Sequence, residues 1–77
     1  MIRLVVLGAT GSIGRQTLDV ADRLGFEVAA IAARSGSGSL LELATLYPEA
    51  RVGVAGPTPT ERRRFVATMG DRALFGP

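Results

Sequence analysis

Three glycines in one seven-residue stretch are the residues of this chain that best combine chemistry with spacing. Residues 8–14 read Gly-Ala-Thr-Gly-Ser-Ile-Gly. Gly8 would allow a sharp turn, Gly11 would let backbone approach a phosphate closely, and Gly14 would let a following helix pack against the preceding strand. The spacing therefore predicts a phosphate-binding turn, although an ordinary strand-to-helix turn also uses glycine for steric reasons.

The residues between these glycines supply the donors that an anion needs. A helix that begins here has unpaired backbone N–H groups and the positive end of its dipole at its first turn. Both features favour a phosphate at that end of a helix. The side chains of Thr10 and Ser12 add hydroxyl donors beside those amides.

The elements that must position this turn are predicted on both sides of it. Residues 2–7 form a nearly continuous apolar run, which is typical of a strand buried in a parallel sheet. Residues 12–24 carry apolar side chains three and four apart, which indicates a helix, and Gly25 follows where a left-handed cap belongs. Residues 26–33 predict a second strand, so the turn belongs to a βαβ unit.

Two further helix–strand pairs are predicted in the same order along the chain. Ser39 and Glu42 match the capping box of a second helix, which Pro48 ends. Thr58 is the predicted N-cap of a third helix. The third and fourth strands are predicted at residues 51–55 and 73–75.

Together these elements predict an α/β fold. It is a Rossmann-like parallel sheet with flanking helices in the order β-α-β-α-β-α-β, incomplete because nothing covers its far edge. We interpret residues 1–77 as the N-terminal part of a dinucleotide-binding domain, with the catalytic and C-terminal domains absent from this chain. The alternative is a self-contained minimal fold, completed by self-association through the uncovered strand edge.

The composition excludes several kinds of site within this chain. It has no cysteine and no histidine, so disulfides, thiolate metal sites and imidazole catalysis are not available. The net charge is only +2 and aromatic residues are few, so we do not predict nucleic-acid binding. There is no apolar run of membrane-spanning length and no signal peptide, so we expect a cytoplasmic protein without membrane contact.

Two charged groups that could suggest a function are interpreted as solvated helix surface. The three consecutive arginines at 62–64 fan around a helix and form no single basic face. Asp19 and Asp22 are neighbours on the first helix, but that helix runs away from the predicted phosphate turn. We therefore assign neither group to a binding or catalytic site.

The residue that follows the second strand selects between dinucleotides in folds of this kind. An acidic residue about 20 positions after the glycines binds the ribose hydroxyls of NAD. Here that position is Arg34, followed by Ser35 and Gly36, and the loop has no acid. An arginine pairs with the extra 2′-phosphate of NADP through a charge-assisted contact, so NADP is favoured. A solvated loop arginine is the alternative interpretation of Arg34.

One longer string resembles the amino terminus of the 1-deoxy-D-xylulose 5-phosphate reductoisomerase family: Leu-Gly-Ala-Thr-Gly-Ser-Ile-Gly-Arg-Gln-Thr-Leu-Asp-Val, at residues 7–20. A GATGxxG start occurs in many reductases, whereas the Thr-Leu-Asp-Val continuation at 17–20 is distinctive of this family. Residues 28–33 also resemble the second strand of the family. The resemblance covers the chain through that strand and is weaker beyond it.

This resemblance implies an NADPH-dependent enzyme of the non-mevalonate isoprenoid pathway. Such an enzyme is both an oxidoreductase and an isomerase, and it converts 1-deoxy-D-xylulose 5-phosphate into 2-C-methyl-D-erythritol 4-phosphate. The resemblance also implies a divalent metal (Mg²⁺, Mn²⁺ or Co²⁺), a sugar-phosphate substrate and a homodimeric parent protein. Its metal ligands and catalytic residues would lie outside this chain, so we expect residues 1–77 alone to be inactive.

The cofactor contacts implied by the resemblance fall in two places. The first place is the glycine turn, with Thr10, Gly11, Ser12 and Ile13. The second is the loop after the second strand, where the family usually shows glycine, a variable residue and asparagine. This chain departs from that pattern with Arg34, Ser35 and Gly36. Gly8 and Gly14 complete the predicted cofactor-binding set.

Two other functions fit the same glycine turn. One is an NADP-dependent reductase or epimerase of the extended short-chain type, which needs a Tyr-x-x-x-Lys pair that this chain does not contain. The other is a non-catalytic module that binds a dinucleotide as a signal. Residues beyond this chain would separate these functions from the reductoisomerase, which requires carboxylates gathered around a hard metal ion.

Overall fold

The computed structural model describes residues 2–34 and 38–76, which alternate between strands and helices as the sequence predicts. The strands are β1 (Arg3–Leu7), β2 (Glu27–Ala33), β3 (Arg51–Val54) and β4 (Ala73–Phe75). The helices are α1 (Ser12–Leu24), α2 (Gly38–Leu46) and α3 (Pro59–Met69), with a short 3₁₀ turn at Gly70–Arg72 before β4. The predicted α/β class is therefore confirmed.

The four strands form one parallel sheet in the order β1-β2-β3-β4. Each strand pairs with the next one along the chain, so within the described residues the strand order never reverses and β1 lies at one edge. Successive right-handed crossovers in one direction place all connecting helices on the same face of the sheet. The sheet is consequently Rossmann-like but covered on one side.

Burial distinguishes the two faces of the sheet. The face under the helices is the core, and its largest fully buried side chains are Ile31, Leu40, Val52, Val54 and Phe65. On the opposite face apolar side chains remain in solvent, with Leu7 77% and Val5 64% exposed. The hydrophobic contribution to stability therefore comes from one layer of helices packed on one side of the strands.

A bulge in β2 explains why its buried residues do not simply alternate. Leu4 pairs with Val28, and the next residue, Val5, pairs with Ala30, so Ala29 has no partner in β1. One extra residue in a strand shifts the following side chains to the opposite face. Beyond the bulge, the register aligns Leu7 with Ala32 and so fixes where both strands end.

Local sequence signals set most helix ends. Gly25 closes α1 in the left-handed conformation, at φ 74° and ψ 24°. At α3 the capping box is complete: the Thr58 amide donates to Glu61 Oε1 at 2.9 Å, and the Glu61 amide donates to Thr58 Oγ1 at 3.1 Å. The predicted start of α2 was wrong by two residues: an N-cap at Ser39 would make Leu40 the first helical residue, whereas the helix begins at Gly38 and Ser39 lies inside its first turn.

A single arginine satisfies carbonyl groups at the end of α2. Arg72 donates from Nε to the Ala50 carbonyl at 2.9 Å and from Nη2 to the carbonyls of Tyr47 and Ala44 at 2.9 and 3.1 Å. The last carbonyls of a helix have no partner within the helix, so an outside donor stabilises that end. Arg72 thereby joins the turn before β4 to the segment between α2 and β3.

Candidate functional site

Two of the three glycines in the turn after β1 are required by the fold itself. Gly8 has φ +66°, a conformation that side chains disfavour. A Cβ on Gly14 would lie 2.2 Å from the Gly8 carbonyl oxygen and 2.7 Å from Ala9 Cα, so α1 can start this close to β1 only without a side chain. The predicted turn at Gly8 and close packing at Gly14 are therefore confirmed, with the backbone conformation rather than a steric contact requiring glycine at position 8. Their place in a cofactor site stays a prediction.

Gly11 is different, because nothing in the fold demands a glycine there. Its φ of −80° and ψ of 171° are ordinary extended backbone. An added Cβ would meet only the Gly8 carbonyl oxygen, at the ordinary contact distance of 3.4 Å. The residue is also exposed. The fold would therefore accept a side chain at position 11. Because Gly11 has none, open space remains beside the turn, and that space suits the close approach of a ligand.

The amides of the turn fall into two groups. The Ala9 amide donates to the Ala32 carbonyl at 2.9 Å and the Gly11 amide to the Gly8 carbonyl at 3.0 Å, so both hold the turn together. The first bond of α1 runs from the Arg15 amide to the Gly11 carbonyl. The amides that precede that bond in α1 have no acceptor among residues 2–34 and 38–76, and no side chain caps them.

This second group supplies donors for an anion. It consists of the amides of Ser12, Ile13 and Gly14. Ser12 is exposed, Thr10 in the turn is half-buried, and no acidic residue occupies the first turn of α1. The positive end of the α1 dipole therefore has no acidic side chain in its own first turn to neutralise it, which favours the binding of a phosphate.

A groove of about 410 Å³ crosses the carboxyl ends of the strands. It is lined by the last residues of all four strands and those that follow them, and it brings together Gly8 and Arg34, two predicted site residues that are distant in the sequence. Ser35 and Gly36, the other predicted residues of that loop, lie outside the described residues. The groove lies at the carboxyl ends of the strands, the end at which open α/β sheets bind ligands.

The groove floor is mostly apolar. Leu7, Ala32, Gly53 and Leu74 come from successive strands and lie in one register row across the sheet. The two middle residues are small, so the row is lowest at its centre. The charged residue of the groove lining is Arg34, which is exposed. Such a groove offers an apolar bed with one cation at its rim, which fits an aromatic base attached to a phosphorylated sugar.

The side chain of Ile13 does not belong to this groove. It is 79% exposed and lines a separate hollow of about 340 Å³ with Leu4, Thr17, Val20 and Phe26, beside the free edge of β1. Only the Ile13 amide therefore remains in the donor set of the turn. A sequence motif names the residue but does not tell whether its backbone or its side chain faces the ligand.

The sequence did not predict a role for Arg15. Its Nε donates to the Thr10 carbonyl at 3.2 Å, so the guanidinium lies against the glycine turn. The position in the sequence gave no signal, since an arginine in the second turn of a helix usually extends into solvent. The structure thus adds one cation to the turn that carries the free amides.

The charged groups interpreted as surface take part in structural contacts. Asp19 pairs with Arg23 at 3.1 Å, and Asp22 accepts a hydrogen bond from the Tyr47 hydroxyl at 3.0 Å. Arg62 lies 4.6 Å from the centre of the Phe75 ring, a cation–π contact. Among the described residues, no group of carboxylates could hold a metal ion, and no helix has the length and apolarity to cross a bilayer.

A known protein family matches most of this chain. The family model of 1-deoxy-D-xylulose 5-phosphate reductoisomerase matches residues 4–70, which include the glycine turn, β2 and Arg34. The reductoisomerase of Arthrobacter sp. (strain FB24) is 40% identical over 67 residues, which cover 83% of this chain and 17% of that protein.

Two further relatives carry the same name. The protein of Paenarthrobacter aurescens is 37% identical over 74 residues, covering 92% of this chain and 19% of the relative. That of Sinorhizobium medicae is 54% identical over 46 residues, covering 54% of this chain and 11% of the relative. The chain therefore spans less than a fifth of the length of these curated relatives. No solved structure matches the chain significantly.

Proposed function

We propose, from the premise that this chain belongs to the 1-deoxy-D-xylulose 5-phosphate reductoisomerase family, that it forms an NADPH-binding portion of such an enzyme. The enzyme would rearrange 1-deoxy-D-xylulose 5-phosphate and reduce the product to 2-C-methyl-D-erythritol 4-phosphate. Bound NADPH would supply the hydride for the reduction. The residues of this chain would bind and orient the cofactor, and the chemical steps would use groups from the rest of the protein.

The observation that carries this proposal is that position 11 holds a glycine although the fold does not require one there. The conformations and packing of Gly8 and Gly14 are explained by the fold, whereas Gly11 has neither a left-handed φ nor a steric clash to account for it. Its surroundings are the unbonded amides of the first turn of α1. A pyrophosphate held by those amides needs the space that a side chain at Gly11 would fill.

The proposed roles follow the chemistry of each group. The amides of Ser12 and Ile13 and the hydroxyl groups of Thr10 and Ser12 would donate to the pyrophosphate. Arg34, at the rim of the groove, would pair with the 2′-phosphate and so favour NADPH over NADH. Ser35 and Gly36 would continue that contact along the loop.

The remaining expectations concern the whole enzyme. A divalent metal ion, the sugar-phosphate substrate, a homodimeric assembly and a cytoplasmic location are proposed on the family membership alone. The described residues contain no metal-binding group, so we assign no metal role to this chain. Because the chain spans less than a fifth of the length of its relatives, we expect residues 1–77 alone to bind the cofactor weakly and to catalyse no reaction.

Titration of the 77-residue chain with NADPH and NADH, followed by amide NMR spectra, tests the proposal directly. We expect the largest shifts at residues 8–14 and tighter binding of NADPH. Arg34→Asp should weaken NADPH by about tenfold or more and change NADH little, because it places like charge against the 2′-phosphate. Unchanged selectivity would remove Arg34 from the site.

Gly11→Val provides the complementary test. The backbone of Gly11 accepts a side chain, so the variant should keep the dispersed amide spectrum of a folded chain. It should nevertheless lose binding of both cofactors, because the valine occupies the space beside the free amides. Normal binding by Gly11→Val would show that the pyrophosphate lies elsewhere.

A further inference from the structure

We infer that Arg15 is a second cationic residue of the cofactor site and that its guanidinium binds the pyrophosphate of the dinucleotide. The inference rests on the proposed function, because it adds a phosphate-binding residue to the same turn. It differs from the roles given above in using a side chain from the body of α1. It also divides the phosphates between two arginines, with Arg34 at the 2′-phosphate and Arg15 at the pyrophosphate.

The geometry of Arg15 directs its charge toward the glycine turn. Arg15 is the fourth residue of α1, and its Nε donates to the carbonyl of Thr10, five residues earlier, at 3.2 Å. That bond draws the side chain back past the start of the helix. The two Nη groups have no acceptor among residues 2–34 and 38–76. Both therefore remain available for a bidentate contact with a phosphate.

The charge around Arg15 is not neutralised by the described part of the protein. The ion pairs found there are Arg3 with Glu27 and Arg23 with Asp19, and neither involves Arg15. The first turn of α1 has no acidic residue, and the helix dipole makes this end positive. A cation at this end of a helix is disfavoured in isolation. An anion bound at the turn would therefore be attracted by the dipole and by Arg15 at once.

The positions of the two arginines assign them to different phosphates. Arg15 contacts Thr10, which directly precedes the N-cap Gly11 and the free amides of α1. Arg34 instead follows β2 and lines the groove across the strand ends. The pyrophosphate is common to NADPH and NADH, and the 2′-phosphate belongs to NADPH alone. Arg15 should therefore strengthen binding without selecting between the two cofactors.

Arg15→Gln tests this assignment in the 77-residue chain. Glutamine keeps a polar donor that can reach the Thr10 carbonyl but removes the charge. We expect the variant to raise the Kd of NADPH and of NADH by about fivefold each, as loss of one exposed charge contact would. The effect should diminish at high salt, where exposed charges are screened.

Arg23→Gln is the matched control. It removes one arginine charge from the same helix, eight residues and about 12 Å further along its axis. Arg23 is paired with Asp19 at the opposite end of α1, so its loss should change neither Kd by more than about twofold. Thermal unfolding of all three proteins should show that Arg15→Gln remains folded.

Each result has a distinct meaning. If the unsubstituted chain binds NADPH, and Arg15→Gln binds each cofactor as tightly as the unsubstituted chain does, the inference fails and the proposed function stands. If Arg15→Gln loses affinity for NADPH alone, Arg15 contacts the 2′-phosphate and the division of roles is wrong. If Arg23→Gln weakens binding as much, only net charge matters and the inference fails. If the original chain binds neither cofactor, the proposed function fails first.

Discussion

Replacing Gly14 with alanine should test the packing that builds the glycine turn after β1. The new Cβ would lie 2.2 Å from the Gly8 carbonyl oxygen, 2.7 Å from Ala9 Cα and 2.9 Å from the Gly8 carbonyl carbon. All three are backbone atoms, so no side-chain rotation relieves the contact. To restore an ordinary contact distance, the start of α1 and the turn after β1 must separate by about 1 Å.

The expected cost follows from two opposing effects. Forcing a methyl group into a close-packed contact costs about 1–3 kcal/mol, and a backbone clash belongs at the upper end of that range. Alanine is a better helix former than glycine by up to about 1 kcal/mol. We therefore expect the free energy of unfolding to fall by about 2 kcal/mol. A chain of this size has only about 4–12 kcal/mol in total, so the loss is large.

Thermal and urea unfolding, followed by circular dichroism, would measure the effect. A loss of about 2 kcal/mol corresponds to a fall in Tm of about 8–16 °C for a domain of this length. Gly38→Ala is the control: Gly38 is exposed in α2 and an added Cβ meets no atom within 4 Å. That variant should be unchanged or slightly stabilised. If Gly14→Ala were as stable as Gly38→Ala, the steric account of the turn would be refuted.

Two further predictions concern contacts far from the turn. Arg72→Met should lower the free energy of unfolding by about 2 kcal/mol in urea titrations, because it removes a donor from the carbonyls of Ala44, Tyr47 and Ala50, of which the Tyr47 carbonyl keeps the Ala50 amide. Arg64→Met on exposed helix surface should change little, and equal midpoints would contradict the stabilising role of Arg72. Burial and the hydrogen bond to Asp22 raise the pKa of Tyr47 above 10, so its contribution to stability is complete below pH 10 and is lost as the pH rises through the folded-state value. Tyr47 is the only tyrosine, so tyrosinate absorbance in folded and urea-unfolded protein measures the shift, and the same pKa in both states would contradict it.

The sequence predicted those elements whose signals are local. The bounds of α1, the left-handed cap at Gly25 and the N-cap at Thr58 depend on residues within one or two turns of each other, and all are as predicted. The glycine spacing also predicted the turn at Gly8 and the close packing at Gly14, although not the backbone conformation of Gly8. Local chemistry was therefore sufficient to predict the elements and the shape of the glycine turn.

Features that depend on distant parts of the chain could not be predicted in this way. The apolar pattern of β4 shows that it is a strand but not that it pairs with β3 rather than β1. The contacts of Arg72 and Arg15 require carbonyls whose positions are set by the packed fold. The bulge at Ala29 likewise depends on the partner strand.

The turn that carries the free amides is attached to the outermost strand of the sheet. Its tie to the neighbouring strand is the bond from the Ala9 amide to the Ala32 carbonyl, and its tie to α1 is the packing of Gly14 on Gly8. Fraying of β1 would therefore dismantle the turn, so the two form one cooperative unit of local unfolding. A dinucleotide that binds only the intact turn would stabilise β1 and the turn against local unfolding by mass action. A substitution that weakens cofactor binding would then also reduce this protection.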